Sequence, residues 1–170
     1  VFVEEFQSNR IGELLFAVLY PSIGFGAIFG LRSYGFDVIG FLFLITIATD
    51  IFAYIVGINF GKHRLAIKIS PKKSVEGSIG GTAFAIVFTL GYVWALDVGM
   101  IGSITLSVGV TIGLVLLLSV IGQIGDLVAS KLKRHMGIKD FSNIFPGHGG
   151  VMDRFDSVIL AAIVLMLISK

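Results

Sequence analysis

Residues 36–58 read FDVIGFLFLITIATDIFAYIVGI, and this stretch is long and apolar enough to cross a lipid bilayer. A transmembrane helix needs about 20 predominantly apolar residues, because each residue advances it by about 1.5 Å and the hydrocarbon core is about 30 Å thick. The whole chain has the same character, since 55% of its 170 residues are hydrophobic and 14% are charged. A soluble domain carries about 25% charged residues, so the composition predicts an integral membrane protein.

Four other apolar stretches accompany this one, at residues 11–31, 78–96, 98–122 and 155–169, and the last is short for a span. We therefore expect an all-α, polytopic transmembrane bundle of about five spans that forms a single catalytic membrane domain over residues 1–170. The chain contains no cysteine, which excludes disulfides and thiolate metal sites.

The basic residues are distributed unevenly between the loops. Of the 13 Lys and Arg residues, five lie between the second and third spans and five between the fourth and fifth. Five crossings place these two loops on the same side, and the opposite loops contain only Arg32 as a basic residue. The positive-inside rule predicts that both basic loops face the cytoplasm.

Asp50 lies nine residues before Asn59, where the second span is expected to end, so it should sit about 14 Å inside the helix. A carboxylate near the bilayer centre costs on the order of 3 kcal/mol even on lenient scales, so it will not face lipid. It is either a neutral or lysine-paired structural carboxyl or part of a polar cavity open to the cytoplasm.

The first basic loop combines Ser70, Lys72 and Lys73 with Glu76 and several glycines. Anchoring to anionic lipid head groups would explain the lysines alone. Glycine beside lysine and serine also suits phosphate binding, because backbone N–H groups and ammonium charges can converge on one anion. The sequence from Ser74 onward is a candidate N-terminus for the third helix, whose dipole would favour the same anion.

The second basic region carries carboxylates with helical spacing. Asp126, Ser130 and Lys133 with its neighbour Arg134 recur about every four residues, so they share one helix face that could hold a metal and a phosphate. A solvated helix end with cations near its C-terminus is an equally good interpretation.

Asp153 and Asp156 precede the last apolar stretch. They strongly resemble a helix N-cap with an acidic first turn, and the functional alternative is a pair of carboxylates for Mg²⁺ beside a phosphate. His148 with Gly149 and Gly150 is interpreted as a phosphate contact rather than a zinc site, because the chain has neither HExxH nor cysteine ligands.

Residues 130–156, SKLKRHMGIKDFSNIFPGHGGVMDRFD, resemble the C-terminal motif of phosphatidate cytidylyltransferases, the CDP-diacylglycerol synthases. The shared pattern is Ser, Leu-Lys-Arg, Lys-Asp, then Pro-x-His-Gly-Gly-x-x-Asp-Arg-x-Asp. The stretches DIFAY and GKHRLAIKISPKKSVEGSIGG upstream also look like this family, so the resemblance covers about Asp50 to Asp156. It implies that further helices precede Val1 in the full enzyme.

The resemblance implies an enzyme that joins CTP and phosphatidate into CDP-diacylglycerol and pyrophosphate. It implies a location in the bilayer, expected to be the bacterial inner membrane, with the active site facing the cytoplasm. Mg²⁺ is the expected cofactor, a second metal ion and a homodimer are left open, and no nucleic-acid partner is expected.

The site candidates combine the charged residues singled out above with residues of the motif. The catalytic candidates are Asp126, Asp153, Asp156, Lys133 and Arg134. The metal ligands would be Asp126 and Asp153, supported by Asp156 and Asp50. The substrate-binding candidates are Ser70, Lys72, Lys73, Glu76, Lys139, His148, Gly149, Gly150 and Arg154.

Two alternatives to this function stay open on the sequence. The first is a CTP-dependent transferase that acts on another lipid phosphate, such as an isoprenoid phosphate. The second is an ion transporter that uses Asp50, although the polar residues collect on one side of the membrane. A CDP-alcohol phosphotransferase is disfavoured because its Asp-rich helix pattern is absent.

Overall fold

The computed structural model describes residues 8–66, 69–142 and 149–170, and within these ranges the fold is mostly helical. Five α-helices follow one another along the chain: α1 (Ser8–Leu31), α2 (Phe36–Phe60), α3 (Val75–Ala95), α4 (Val108–His135) and α5 (Met152–Ile168). Two short antiparallel hairpins connect them: β1 (Arg64–Ala66) with β2 (Ser70–Ser74), and β3 (Met100–Ile101) with β4 (Ile104–Thr105). The predicted all-α class is confirmed at this level.

Four of the helices are long and apolar enough to cross a membrane. The candidate spans are Leu15–Tyr34, Phe36–Phe60, Val75–Ala95 and Val108–His135. Helix α5 has 17 residues, slightly fewer than the roughly 20 that a perpendicular crossing needs.

The predicted limits of the fourth span are wrong at both ends. It was expected at residues 98–122, but residues 98–107 form the β3–β4 hairpin, whose turn places Gly102 at a φ of +56°. Helix α4 begins only after Ser107, whose hydroxyl accepts a hydrogen bond from the Val110 N–H at 3.4 Å. The helix then continues to His135, so Asp126 lies within α4 rather than where the helix ends.

The predicted start of the third helix is confirmed by its cap. The Ser74 hydroxyl accepts a hydrogen bond from the Gly77 N–H at 3.1 Å, which satisfies a backbone donor that the first helical turn leaves free. The β1–β2 hairpin therefore leads directly into α3.

Helices α2 and α3 pack with their backbones almost in contact. A Cβ on Gly77 would lie 2.5 Å from the Ala53 carbonyl oxygen, and one on Gly81 would lie 2.4 Å from the Thr49 carbonyl oxygen. Small residues permit this approach between membrane helices. The close packing fixes the β1–β2 hairpin over the end of the bundle.

The core lies where α2, α4 and α5 meet. Its fully buried side chains include Phe41, Ile45, Leu118 and Leu165. Helix α1 packs mainly against α5, where a Cβ on Gly24 would overlap the side chain of Ile159. These contacts hold α5 beside α4 and orient the polar first turn of α5.

Candidate active site

A polar cavity of about 390 Å³ lies at the end of the bundle where the β1–β2 hairpin meets α4 and the beginning of α5. Six charged side chains line it, and they come from distant parts of the chain: Asp50, Lys72, Lys73, Asp126, Asp153 and Asp156. The fold thus brings the β1–β2 hairpin and all four predicted metal ligands to one cavity. Ser70, another predicted substrate contact, also lines it.

The hairpin contacts α4 through an ion pair inside this cavity. The Lys73 ammonium lies against the Asp126 carboxylate, and both side chains are roughly a quarter exposed. The other oxygen of Asp126 accepts a hydrogen bond from the Ser130 hydroxyl at 3.2 Å. Asp126 and Ser130 therefore do share one helix face, as their spacing predicts.

Lys133 connects α4 to the first turn of α5. Its Nζ lies 2.8 Å from Oδ1 of Asp153 and 3.9 Å from Oδ2 of Asp156, and the side chain is almost completely buried. The ammonium also lies 5.3 Å from the centre of the Phe141 ring. A buried lysine held this way is a fixed positive charge at the cavity wall.

Asp153 has a hydrogen-bond partner on each carboxylate oxygen. Besides the bond from Lys133 to Oδ1, Oδ2 accepts the backbone N–H groups of Phe141 and Gly150, each at 2.9 Å. Burial alone would raise the pKa of Asp153, but these hydrogen bonds outweigh it and hold the pKa below its ordinary value. Asp153 therefore organises the turn before α5, where Gly149 has a φ of +78°.

Asp50 and Asp156 meet on either side of Ser157. The Ser157 hydroxyl donates a hydrogen bond to Oδ2 of Asp50 at 2.9 Å, and the Ser157 N–H donates to Oδ1 of Asp156 at 2.9 Å. Asp50 thus faces α5 and not the lipid. The sequence analysis did not identify Ser157. Its position directly after Asp156 was the signal that could have indicated its role.

A buried polar network forms the floor of the cavity, and the sequence analysis missed it. Gln123 accepts a hydrogen bond from the Ser78 hydroxyl and donates to the hydroxyls of Thr82 and Ser119, both at 3.3 Å. Thr49 donates to Ser119 at 3.0 Å. The available signal was that hydroxyl and amide residues recur at helical spacing inside otherwise apolar stretches.

Glu76, a predicted substrate contact, is not part of the cavity lining. Its carboxylate accepts the backbone N–H groups of Lys62 and His63, and His63 Nδ1 lies 2.6 Å from Oε1. Glu76 thus holds the start of the hairpin to the first turn of α3.

The remaining predicted residues lie outside this lining. Arg134 is exposed and donates to the carbonyl oxygen of Ile138 at 3.4 Å. Lys139 and Arg154 are exposed residues of the α4–α5 connection and of α5. Gly149 and Gly150 form the turn held by Asp153. His148 lies outside the described residues.

The donor set of the cavity fits a hard divalent cation such as Mg²⁺. Four carboxyl groups and two lysines line the cavity, and Lys133 adds one further ammonium from behind Asp153, so oxygen donors outnumber the cations. Among the described residues no three His, Cys, Asp or Glu side chains converge closely enough to hold a metal unaided. Mg²⁺ is commonly held by one or two carboxylates together with substrate phosphates and water, which matches such an arrangement.

Comparison with known proteins identifies the family of this chain. A sequence profile of the cytidylyltransferase family matches residues 2–170. The chain belongs to the cytidylyltransferase family. The resemblance inferred from residues 130–156 is therefore confirmed.

Several relatives in this family carry the same name. Phosphatidate cytidylyltransferase of Staphylococcus aureus strain COL is 44% identical over 143 residues, which are 84% of this chain and 53% of the relative. The proteins of that name from Staphylococcus haemolyticus and Staphylococcus epidermidis are 44% and 47% identical over the same length and the same shares. The chain spans about half the length of the curated relatives it matches.

Proposed function

We propose that this chain carries the active site of an enzyme that transfers the cytidylyl group of CTP to phosphatidate. The observation that carries the proposal is the single cavity in which four carboxyl groups meet Lys72 and Lys73 of the β1–β2 hairpin, with Lys133 of α4 behind Asp153, in a member of the cytidylyltransferase family. The names of its relatives supply the substrate pair. The products would be CDP-diacylglycerol and pyrophosphate.

The cavity would open to the cytoplasm of a bacterial cell, with the chain in the inner membrane. Both clusters of basic residues lie at the cavity end of the bundle, and the positive-inside rule places such clusters in the cytoplasm. Helix α5 would act as a fifth, short span, with the residues on its flanks completing the crossing. A water-soluble nucleotide could then reach the site from the side where CTP is made.

The reaction needs little acid–base chemistry from the protein. An oxygen of the phosphatidate phosphate attacks the α-phosphorus of CTP, and the bond to the oxygen bridging to the β-phosphorus breaks as pyrophosphate leaves. A phosphomonoester has a second pKa of about 6, so this nucleophile is mostly dianionic at neutral pH. Positioning and charge neutralisation would therefore carry the catalysis.

Asp126 and Asp156, with Asp50 behind them, are the best-placed residues to hold Mg²⁺. The Asp126 side chain is 22% exposed, whereas the Asp153 side chain is 7% exposed and binds Lys133 and two backbone N–H groups. We therefore assign Asp153 to positioning Lys133 and the turn at Gly150. Bound Mg²⁺ would neutralise phosphate oxygens and favour departure of pyrophosphate.

The lysines would neutralise the remaining phosphate charge. Lys72 and Lys73 lie on the hairpin and line the cavity, and Lys133 lies behind the lining residue Asp153. CTP and phosphatidate together bring several negative charges to a cavity already rich in carboxylates. Bringing them together without these cations would cost several kcal/mol in a partly desolvated site.

A single assay tests this function. Purified protein in detergent–lipid micelles with Mg²⁺ receives CTP labelled at the α-phosphorus, and phosphatidate or an isoprenoid phosphate is added. We expect lipid-extractable label, and one pyrophosphate per labelled lipid, when phosphatidate is the added lipid and not when the isoprenoid phosphate is. The Asp126→Asn variant should lose both signals. Pyrophosphate release without any lipid, or label transfer only to the isoprenoid phosphate, would refute the assignment.

A further inference from the structure

A second cavity of about 320 Å³ lies between α1, the C-terminal part of α4 and the beginning of α5. Its lining is mainly apolar and includes Phe16, Pro21, Phe25, Leu132 and Met136. The polar cavity described above shares none of these residues. A nucleotide has too many polar groups for such a lining, so the cavity suits a hydrocarbon chain.

Tyr20 brings the only hydroxyl among the residues that line this cavity. Its oxygen is buried and forms no hydrogen bond with any described residue. The ring stacks on Phe16 with centroids 5.1 Å apart, which fixes where the hydroxyl lies. A buried hydroxyl without a partner lowers stability, so a partner supplied by a ligand would remove that penalty.

This hydroxyl lies close to the acidic cluster. A Cβ placed on Gly125 would be 3.6 Å from the Tyr20 oxygen and 2.7 Å from the Asp156 carbonyl oxygen. The phenol therefore stands at the boundary between the apolar cavity and the polar one.

Phe141 forms a second connection between the two cavities. Its side chain lines the apolar cavity, while its ring lies beneath the Lys133 ammonium at 5.3 Å. Its N–H donates to Asp153, which lines the polar cavity. The structure thus places three features next to one another: the apolar cavity, the unpartnered Tyr20 hydroxyl and the buried Lys133 ammonium.

We infer that the apolar cavity holds an acyl chain of the lipid substrate, and that the Tyr20 hydroxyl donates a hydrogen bond to the ester or phosphate oxygens where that chain joins the head group. The inference rests on the proposed function. The order of surfaces matches a glycerophospholipid, in which a chain, a short polar ester region and an anionic phosphate follow in sequence.

Photolabelling tests the position of the chain without relying on turnover. Purified protein is irradiated with a phosphatidate that carries a diazirine midway along one acyl chain, and labelled peptides are identified by mass spectrometry. We expect labels within residues 16–25 and 132–136, reduced by excess unlabelled phosphatidate. Labels confined to other helices, or crosslinks between two copies through this face, would overturn the inference.

Tyr20→Phe tests the hydroxyl itself. Because the hydroxyl has no partner among the described residues, the ligand-free variant should melt at the same temperature as the parent protein or higher. The rise in melting temperature caused by phosphatidate should shrink, and the phosphatidate KM should rise about fivefold while the CTP KM changes less than twofold. A less stable ligand-free variant, or an unchanged response to phosphatidate, contradicts the assignment.

Ala17→Trp would fill the cavity, and Val18→Trp is the matched control because Val18 lies on the same helix, is 62% exposed and does not line the cavity. Ala17→Trp should raise the KM for dioleoyl phosphatidate at least tenfold, and by a clearly larger factor than the KM for dihexanoyl phosphatidate, whose chains are shorter. Normal use of the long-chain lipid by Ala17→Trp would refute the inference and leave the proposed function standing. If the parent protein forms no CDP-lipid at all, the proposed function is refuted. The photolabelling experiment would still report whether an acyl chain binds in the apolar cavity.

Discussion

The Lys133 ammonium and the Asp153 carboxylate lie 2.8 Å apart although 20 residues of sequence separate them. This pair fastens the end of α4 to the first turn of α5, and the other oxygen of Asp153 fixes the backbone at Phe141 and Gly150. The contact therefore determines where Asp156 enters the cavity. The Lys133–Asp153 contact thus positions Asp156, a candidate metal ligand.

The first prediction concerns Asp153→Asn. Hydrogen bonds to a charged group contribute about 1.5–3 kcal/mol each, so the neutral amide should lower stability at neutral pH by a comparable amount. A carboxyl with a depressed pKa contributes stability above its unfolded-state pKa of about 3.9 and loses that contribution as the pH falls towards the lower folded-state pKa. The melting temperature of the parent protein should therefore fall further than that of the variant when the pH is lowered from 5 to 3.

Asp97→Asn is the control for this comparison, because Asp97 is exposed near the β3–β4 hairpin at the opposite end of the bundle. Its melting temperature should follow that of the parent protein at every pH. If Asp153→Asn keeps both the stability and the acid sensitivity of the parent protein, the positioning role of Asp153 is wrong.

The second prediction concerns Gly125, where α5 crosses α4. A Cβ on this residue would lie 2.7 Å from the Asp156 carbonyl oxygen, so Gly125→Ala must push the first turn of α5 away from Asp126. Overpacking of this kind costs about 1–3 kcal/mol. We expect a lower melting temperature in detergent and at least a tenfold loss of kcat.

Gly113→Ala is the matched control on the same helix, since nothing lies within 4 Å of its Cβ position. Alanine has a higher helix propensity than glycine by about 1 kcal/mol, so this variant should be as stable as the parent protein or slightly more stable. Equal effects of the two substitutions would mean that helix propensity, and not the α4–α5 approach, decides the outcome.

The membrane class and the positions of most helices could be predicted because apolar length is a local property of the sequence. The start of α4 could not, since residues 98–107 are as apolar as a span and only the turn at Gly102 reveals a hairpin. The cap at Ser74 was predictable from its side chain, because the hydroxyl acts within its own helical turn.

The candidate site was predictable as a set of residues but not as a division of roles. Asp126 and Asp153 have the same chemistry in the sequence, yet one is partly open to the cavity and the other is fully hydrogen-bonded by α4 and the turn before α5. The Gln123 network and Tyr20 were missed because their roles depend on contacts between helices. Spacing within one helix carries no information about such partners.

The third prediction concerns the contact between α2 and α3. Gly81→Val would place side-chain atoms where the Thr49 carbonyl oxygen lies 2.4 Å from the Cβ position, so the helices must separate. The hairpin that carries Lys72 and Lys73 should then shift away from Asp126. We expect a loss of about 2–3 kcal/mol of stability and weaker CTP binding, measured by thermal melting and equilibrium dialysis.

Gly91→Val is the matched control in α3, because nothing lies within 4 Å of its Cβ position. Both variants place the same β-branched residue in the same helix, so the propensity effect is shared. A large effect at Gly91, or none at Gly81, would argue against close α2–α3 packing as the support of the hairpin.

The fourth prediction concerns the ion pair between Lys73 and Asp126. The Lys73 ammonium pairs with the Asp126 carboxylate, which we assign to Mg²⁺. The metal must therefore compete with the lysine for this carboxylate. Lys73→Met should therefore raise the affinity for Mn²⁺, used as a spectroscopic substitute for Mg²⁺, about threefold to tenfold in the absence of nucleotide. The same variant should weaken CTP binding about tenfold, a change of about 1.4 kcal/mol, because a phosphate-neutralising charge is lost.

Two measurements separate these effects. Free Mn²⁺ is followed by electron paramagnetic resonance during titration of nucleotide-free protein, and CTP binding is measured separately with Mg²⁺ present. Lys72→Met is the matched control, since Lys72 also lines the cavity but has no ion pair with Asp126 among the described contacts. It should weaken CTP binding with a smaller gain in Mn²⁺ affinity, because its charge lies further from the metal ligand. If Lys73→Met weakens Mn²⁺ and CTP binding together, the lysine supports Asp126 and does not compete with the metal for it.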